Sequence, residues 1–358
     1  MDTESELLQK RLEAKEEILA LKEQIPSARI FNRLGKAFKH KSLGYWLSNV
    51  VLLHLILISP ALLIGLTLKD SEKLIPVFVG GMLATEGAIL SLIVGHIAVQ
   101  NILEDIANRI VTKIISANDL LAMLLWLKQS WSTQNISAFV LPYCLLWVLL
   151  AVISNSVLIH QFVGIGFSLW CVFVGWLAGI VLHMYTWTCL LVSTLKSYQY
   201  EMNALAPADS EIISDISEML TRAIYMLAGL SAVLTLEMTL SLEALPIFVF
   251  PILVIGWSLI LAQFLLTRST LSAITNRAKW NTLKKIQTKI NAIEETGDLS
   301  DKDTAERLFR LADIHKQIMA SRSNTLDWKS FSTLFSQLML PLLGLLLGNL
   351  DKLLKLFP

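Results

Sequence analysis

The chain has 358 residues, of which 54% are hydrophobic and 16% charged, and its formal net charge is +1. Its mean hydropathy of +0.59 excludes an ordinary soluble domain and predicts a multi-pass protein whose first partner is the lipid bilayer. Near-neutral charge gives no whole-chain argument for nucleic acid, and Cys144, Cys171 and Cys189 stand singly in apolar runs without metal or redox spacing, so no cofactor is expected.

Residues 1–43 are polar and open without the apolar core of a signal peptide, so none is expected to be cleaved. Leu7, Arg11, Ala14, Ile18, Leu21 and Ile25 recur at spacings of four and three. That seam predicts a helix packed on the rest of the protein, with a short coiled coil between copies as the alternative. Pro26 ends the pattern. Arg29, Arg33, Lys36, Lys39 and Lys41 precede the first apolar run, which assigns this end to the cytoplasm of a plasma or bacterial inner membrane by the positive-inside rule.

Residues 44–267 read as an all-α bundle of six transmembrane helices: 45–68, 74–103, 136–159, 164–195, 223–242 and 247–266. The inner connections are 104–133 and 196–222. In the first, Ile102, Ile106, Ile110 and Ile114 repeat every four residues as one apolar stripe. Asn118 and Asp119 are candidate caps for the apolar helix that follows them, which is too short to span. The third and fourth spans, joined by a very short turn, are expected to be antiparallel neighbours. Gly175 and Gly179 have the spacing that permits close helix approach. Residues 268–328 carry helical periodicity in two segments around Thr296, Gly297 and Asp298, a cytoplasmic hairpin. Residues 329–358 hold a leucine-rich helix broken by Pro341 and Gly344, transmembrane or re-entrant.

Ionisable groups inside spans are costly and mark function by default. His54 and Glu86 fall at similar depth and form a candidate pair for a cation or proton, or a polar tie between helices. Glu237 and Glu243 form a candidate acidic mouth. His96 and His183 read as packing or interface residues, with Gln263 a polar companion. Ser336, Gln337 and Asn349 are the polar groups of the last helix and candidate pore residues. No protease, hydrolase or P-loop signature is present, so enzymatic activity is not expected.

The order of spans, with a cytoplasmic N-terminus, short outer turns and a terminal helix, resembles that of insect chemoreceptor-type cation channels, without a matching terminal signature. The resemblance implies a tetramer whose last helix lines a pore. The sequence thus predicts a homo-oligomeric channel for small ions. The alternatives are a non-conducting scaffold or sensor that binds a cytoplasmic protein, and a proton- or cation-coupled carrier using Glu86.

Overall fold

The structure, a computed structural model, describes residues 2–29, 75–158, 161–240, 246–296, 302–320 and 336. These are helical, with no strand among them and one isolated antiparallel bridge, Ile114 to Tyr200. Among the described residues, three stretches are long and apolar enough to cross a membrane: Thr85–Lys113, Gly175–Leu195 and Trp257–Glu295. The first span and the leucine-rich C-terminal helix lie outside the described residues.

Helix α1 spans Asp2–Leu21. Its seam is buried within the chain: Ala14 is 5% exposed, Leu21 2%, and Ile18 and Ile25 not at all. The face that a coiled coil would use is therefore occupied by the protein's own core, which leaves the inter-copy alternative without support. Three polar ties fix the segment after α1. Lys22 pairs with Glu104 at 3.0 Å, Gln100 Nε2 donates to the Lys22 carbonyl at 2.9 Å, and Ser27 Oγ lies 2.9 Å from His96 Nδ1.

Helix α2, Ile75–Asp105, continues without interruption into a π turn, Ile106–Ile110, and a 3-10 turn, Val111–Lys113. The isoleucine repeat explains why. A strict four-residue repeat over-rotates a 3.6-residue helix by ~40° per step, and the wider π turn brings the stripe back. Ile106, Ile110 and Ile114 have no exposed surface and Ile102 is 1% exposed. Helix α3, Ala117–Ser130, is capped by Ser116, whose hydroxyl accepts from the Asp119 amide at 3.4 Å. The cap thus falls two residues before the expected Asn118. Asp119 is turned outward to another task, accepting from the Gln199 amide at 2.9 Å.

Helices α4 (Thr133–Leu158, with Pro142 inside it) and α5 (Gln161–Leu195) pack against each other. Helix α2 crosses α5 closely enough that a Cβ on Gly95 would stand 3.0 Å from Met184 Sδ. Helix α6, Glu211–Leu240, packs on both α2 and α7. Helix α7 runs 51 residues, Pro246–Thr296, so the sixth apolar run and the polar helix after it are one rod. Helix α8, Lys302–Ala320, packs back on α7 through Leu283, Ile286 and Ile318. Lys279 Nζ donates to the Met319 carbonyl at 2.8 Å.

Candidate functional site

Where α2 and α6 carry their first charges beyond the apolar run, five side chains meet. Arg109 stands on the π turn, and its Nη1 lies 2.9 Å from Glu218 Oε2 and 3.7 Å from Asp215 Oδ1, its Nε 3.6 Å from Asp105 Oδ1. Arg222 closes the ring, 3.0 Å from Glu218 Oε1 and 3.5 Å from Asp105 Oδ2. A turn further along, Lys113 Nζ lies 2.6 Å from Glu211 Oε2. The π turn positions this ring, because one extra residue per turn rotates Arg109 toward α6 while Ile106 and Ile110 stay in the core.

Glu218 is exposed, and its hydrogen bond to Arg109 together with both guanidinium charges holds its carboxyl below the usual range. Glu211 is held low in the same way by Lys113. Asp215 goes the other way: its burial raises it, and Arg109 only partly offsets that effect. Isolated exposed pairs contribute little. A ring in which two arginines share three carboxylates is a different case, since each side chain is already held by its neighbours.

Beneath the ring the backbone itself is tied. The Ile115 amide donates to the Gln199 carbonyl at 3.1 Å, and the Glu201 amide to the Lys113 carbonyl at 2.8 Å. Arg11 of α1 donates Nε and Nη2 to the Ile114 carbonyl at 3.2 and 2.7 Å. Arg277 of α7 donates Nη1 to the Lys196 carbonyl at 2.7 Å. Tyr200 is buried and its hydroxyl donates to the Leu195 carbonyl at 2.8 Å, while burial and the neighbouring Asp119 push Tyr198 up to about 12. The connections after α2 and α5, the helix α1 and the rod α7 therefore meet in one joint.

Of the candidates read from the sequence, Glu86 lies on α2, half-buried and engaged with other groups. Glu237 lies near the end of α6, and Ser336 is helical and exposed. His54, Glu243, Gln337 and Asn349 lie outside the described residues, so no distance bears on the His54 to Glu86 pair or on the mouth. His183 is buried among rings, edge-on to Trp131 and Phe139 at 5.2 Å each. Neither of its nitrogens meets hydrogen-bond geometry with a described residue, though the Ser130 main chain is close by. Gln263 is fully buried on α7 with both amide atoms unpartnered among the described residues.

The ring residues were not singled out by sequence reasoning, which attended to charges inside spans. Their signal was present as Asp105 to Arg109 and Glu218 to Arg222, each four apart on a helix. Among the described residues no group of three or more His, Cys, Asp or Glu is placed to hold a metal. No protein-family model, curated protein or solved structure matches the chain.

Proposed function

We propose that the chain is a homo-oligomeric channel for small ions, with six spans, a cytoplasmic N-terminus and a cytoplasmic base formed by α1, the two inner connections and the α7–α8 hairpin. The observation that supports this reading is the charged joint. It clamps the ends of α2 and α6 through Arg109 and Arg222, and α1, α5 and α7 reach it through backbone ties. A base coupled to several spans can transmit a shift of one span to the others, which is what gating requires and what a passive anchor does not. The pore itself is assigned to residues 331–350, where Ser336, Gln337 and Asn349 are the polar groups of an otherwise apolar helix that gates by excluding water.

The test is ion flux from liposomes holding the purified chain. Gln337→Leu or Asn349→Leu is expected to change conductance or selectivity, and unchanged flux in both contradicts the assignment. A second reading, a scaffold binding a soluble partner, draws on Phe309 of α8, 73% exposed, and Leu8 of α1, 58% exposed. It predicts no flux and retention of a partner that is lost with Phe309→Ser. A carrier using Glu86 predicts saturable flux that Glu86→Gln abolishes.

A further inference from the structure

Helix α3 is too short to span, yet its side chains follow α5 back toward the apolar zone. The Gln199 amide, beyond the end of α5, donates to Asp119 Oδ2 at 2.9 Å. Further along α3, the Trp126 ring stacks on Trp187 with centroids 6.2 Å apart, and Trp131 at its end lies 5.1 Å from Trp187 and 5.2 Å from His183. Past the turn, Phe139 of α4 meets His183, and Cys144 Sγ lies 3.8 Å from the Val172 carbonyl. As the chain advances from 119 to 144 its partner falls from 199 to 172, so α3 runs antiparallel beside α5 and leads into α4.

That register fixes the depth of α3. The stretch Gly175–Leu195 is long and apolar enough to cross a membrane, and it holds no charged residue before Lys196. Gly95 of α2 meets Met184 of α5. Equal steps along both helices from that crossing bring Glu104, the first charge on α2 after Glu86, level with Ser193. The apolar zone therefore ends near Ser193. Trp187, and Trp126 with it, stands ~9 Å to the apolar side of that line, whereas Gln199, and Asp119 with it, lies on the charged side. Helix α3 crosses the boundary between these two points.

At that crossing its outward face is apolar and open. Leu121 and Leu125 are each 56% exposed, with Ala122 beside them and Asn118 and Gln129 at the two ends of the same face. On the opposite face Leu120, Met123, Leu124 and Leu127 share one core with Ala14, Ile18 and Leu21 of α1. Lys128 is the single charged residue among the exposed positions of α3, and it pairs with Glu17. Leu190 of α5, between Trp187 and Ser193, is 52% exposed in the same zone. A face without an unpaired charge, at the depth where the apolar zone ends, suits acyl chains and gives a charged head group or an acidic or basic protein nothing to read.

We infer that the Leu121, Ala122 and Leu125 face of α3 is seated in the leaflet nearer the joint, against the acyl chains at their boundary with the head groups. Interfacial helices bury an apolar face ~5–10 Å into that boundary. The start of α3 belongs to the joint: Ser116 caps it, and the Ile115 amide just before it donates to the Gln199 carbonyl. Lipid packing around Leu121 and Leu125 therefore bears on the joint through α3. This requires that the chain lie in a membrane and not that it pass ions.

The experiment uses the full chain in phosphatidylcholine nanodiscs, with Cys144, Cys171 and Cys189 replaced by alanine and one nitroxide-labelled cysteine at a time. Leu121→Cys and Leu125→Cys are compared with Arg310→Cys on α8, and collisions are measured with oxygen, which concentrates among acyl chains, and with a water-soluble nickel chelate. Labels at 121 and 125 are expected to meet oxygen in excess of nickel, and the label at 310 the reverse. Nickel in excess at 121 and 125 places the face in water and overturns the inference. Protection from both reagents overturns it too, with a second copy or another segment of this chain as the cover. Amide exchange over 114–119 is expected to differ severalfold between saturated and polyunsaturated lipids of one chain length, and the difference to vanish when Leu121→Ser is combined with Leu125→Ser. Equal exchange in the two lipids, or a difference that survives the double variant, overturns the link from lipid to joint.

Discussion

Arg11 sits in a seam of aliphatic residues, and its head group explains why it is tolerated there. Half-buried, it reaches the Ile114 carbonyl with two guanidinium nitrogens. Hydrogen bonds to charged groups contribute roughly 1.5–3 kcal/mol. Arg11→Gln is therefore expected to free α1, seen as faster proteolysis of residues 1–29 with the spans still folded. Ile18, wholly buried in the same seam, should cost roughly 2–5 kcal/mol as Ile18→Ala, measured by thermal unfolding in detergent. Gln263 predicts the opposite sign. A buried amide with neither atom partnered costs ~1–3 kcal/mol, so Gln263→Leu should raise the unfolding temperature. A lower temperature would mean that the amide has a partner the fold requires.

At the level of elements, the joint at the π turn holds carboxylates that respond to acid in opposite directions. Glu211 and Glu218 titrate below their ordinary range when folded, so their stabilisation is complete above the unfolded value, ~4.3, and is lost as pH falls through the lower folded values. Asp215 is raised, so ionising it as pH rises works against the fold, and acid relieves that opposition. Asp105 is raised by burial in the same way, so the exposed Lys113–Glu211 and Arg109–Glu218 pairs loosen below about pH 4 while the two raised carboxylates oppose that change. Amide exchange over 106–115 should respond to acid through Glu211 and Glu218, and Glu218→Gln, which removes one of these two lowered groups, should flatten that response below about pH 4. The helical character of the described residues was legible because long apolar runs and the heptad seam carry strong periodicity. Two things were not. The π turn hides inside a four-residue repeat that also suits an α-helix, and the bonds joining Arg109 to Glu218 or Arg11 to Ile114 span about a hundred residues, which no local pattern encodes.

Across the whole molecule, helices apolar enough to cross a membrane were legible from composition, while the ring of charge that joins α2 to α6 was not. Of the charges in spans, Glu86 is half-buried and engaged with other groups, and its expected companion His54 lies outside the described residues. The continuous rod α7 carries its own consequence. Since the apolar part and the hairpin part are one helix, Leu271→Pro should break it near the joint, at ~3 kcal/mol or more. The break should leave α8 paired with its half of α7 and the spans inserted, but separate the two in cross-linking. The most direct measurement is single-channel recording of the purified chain in planar bilayers, comparing it with Arg109→Met, which strips Asp105, Asp215 and Glu218 of a shared cation. The account predicts stepwise currents whose open probability changes in the variant while unit conductance does not. The absence of any current from a correctly folded oligomer would contradict it, and so would a variant that alters unit conductance with gating untouched.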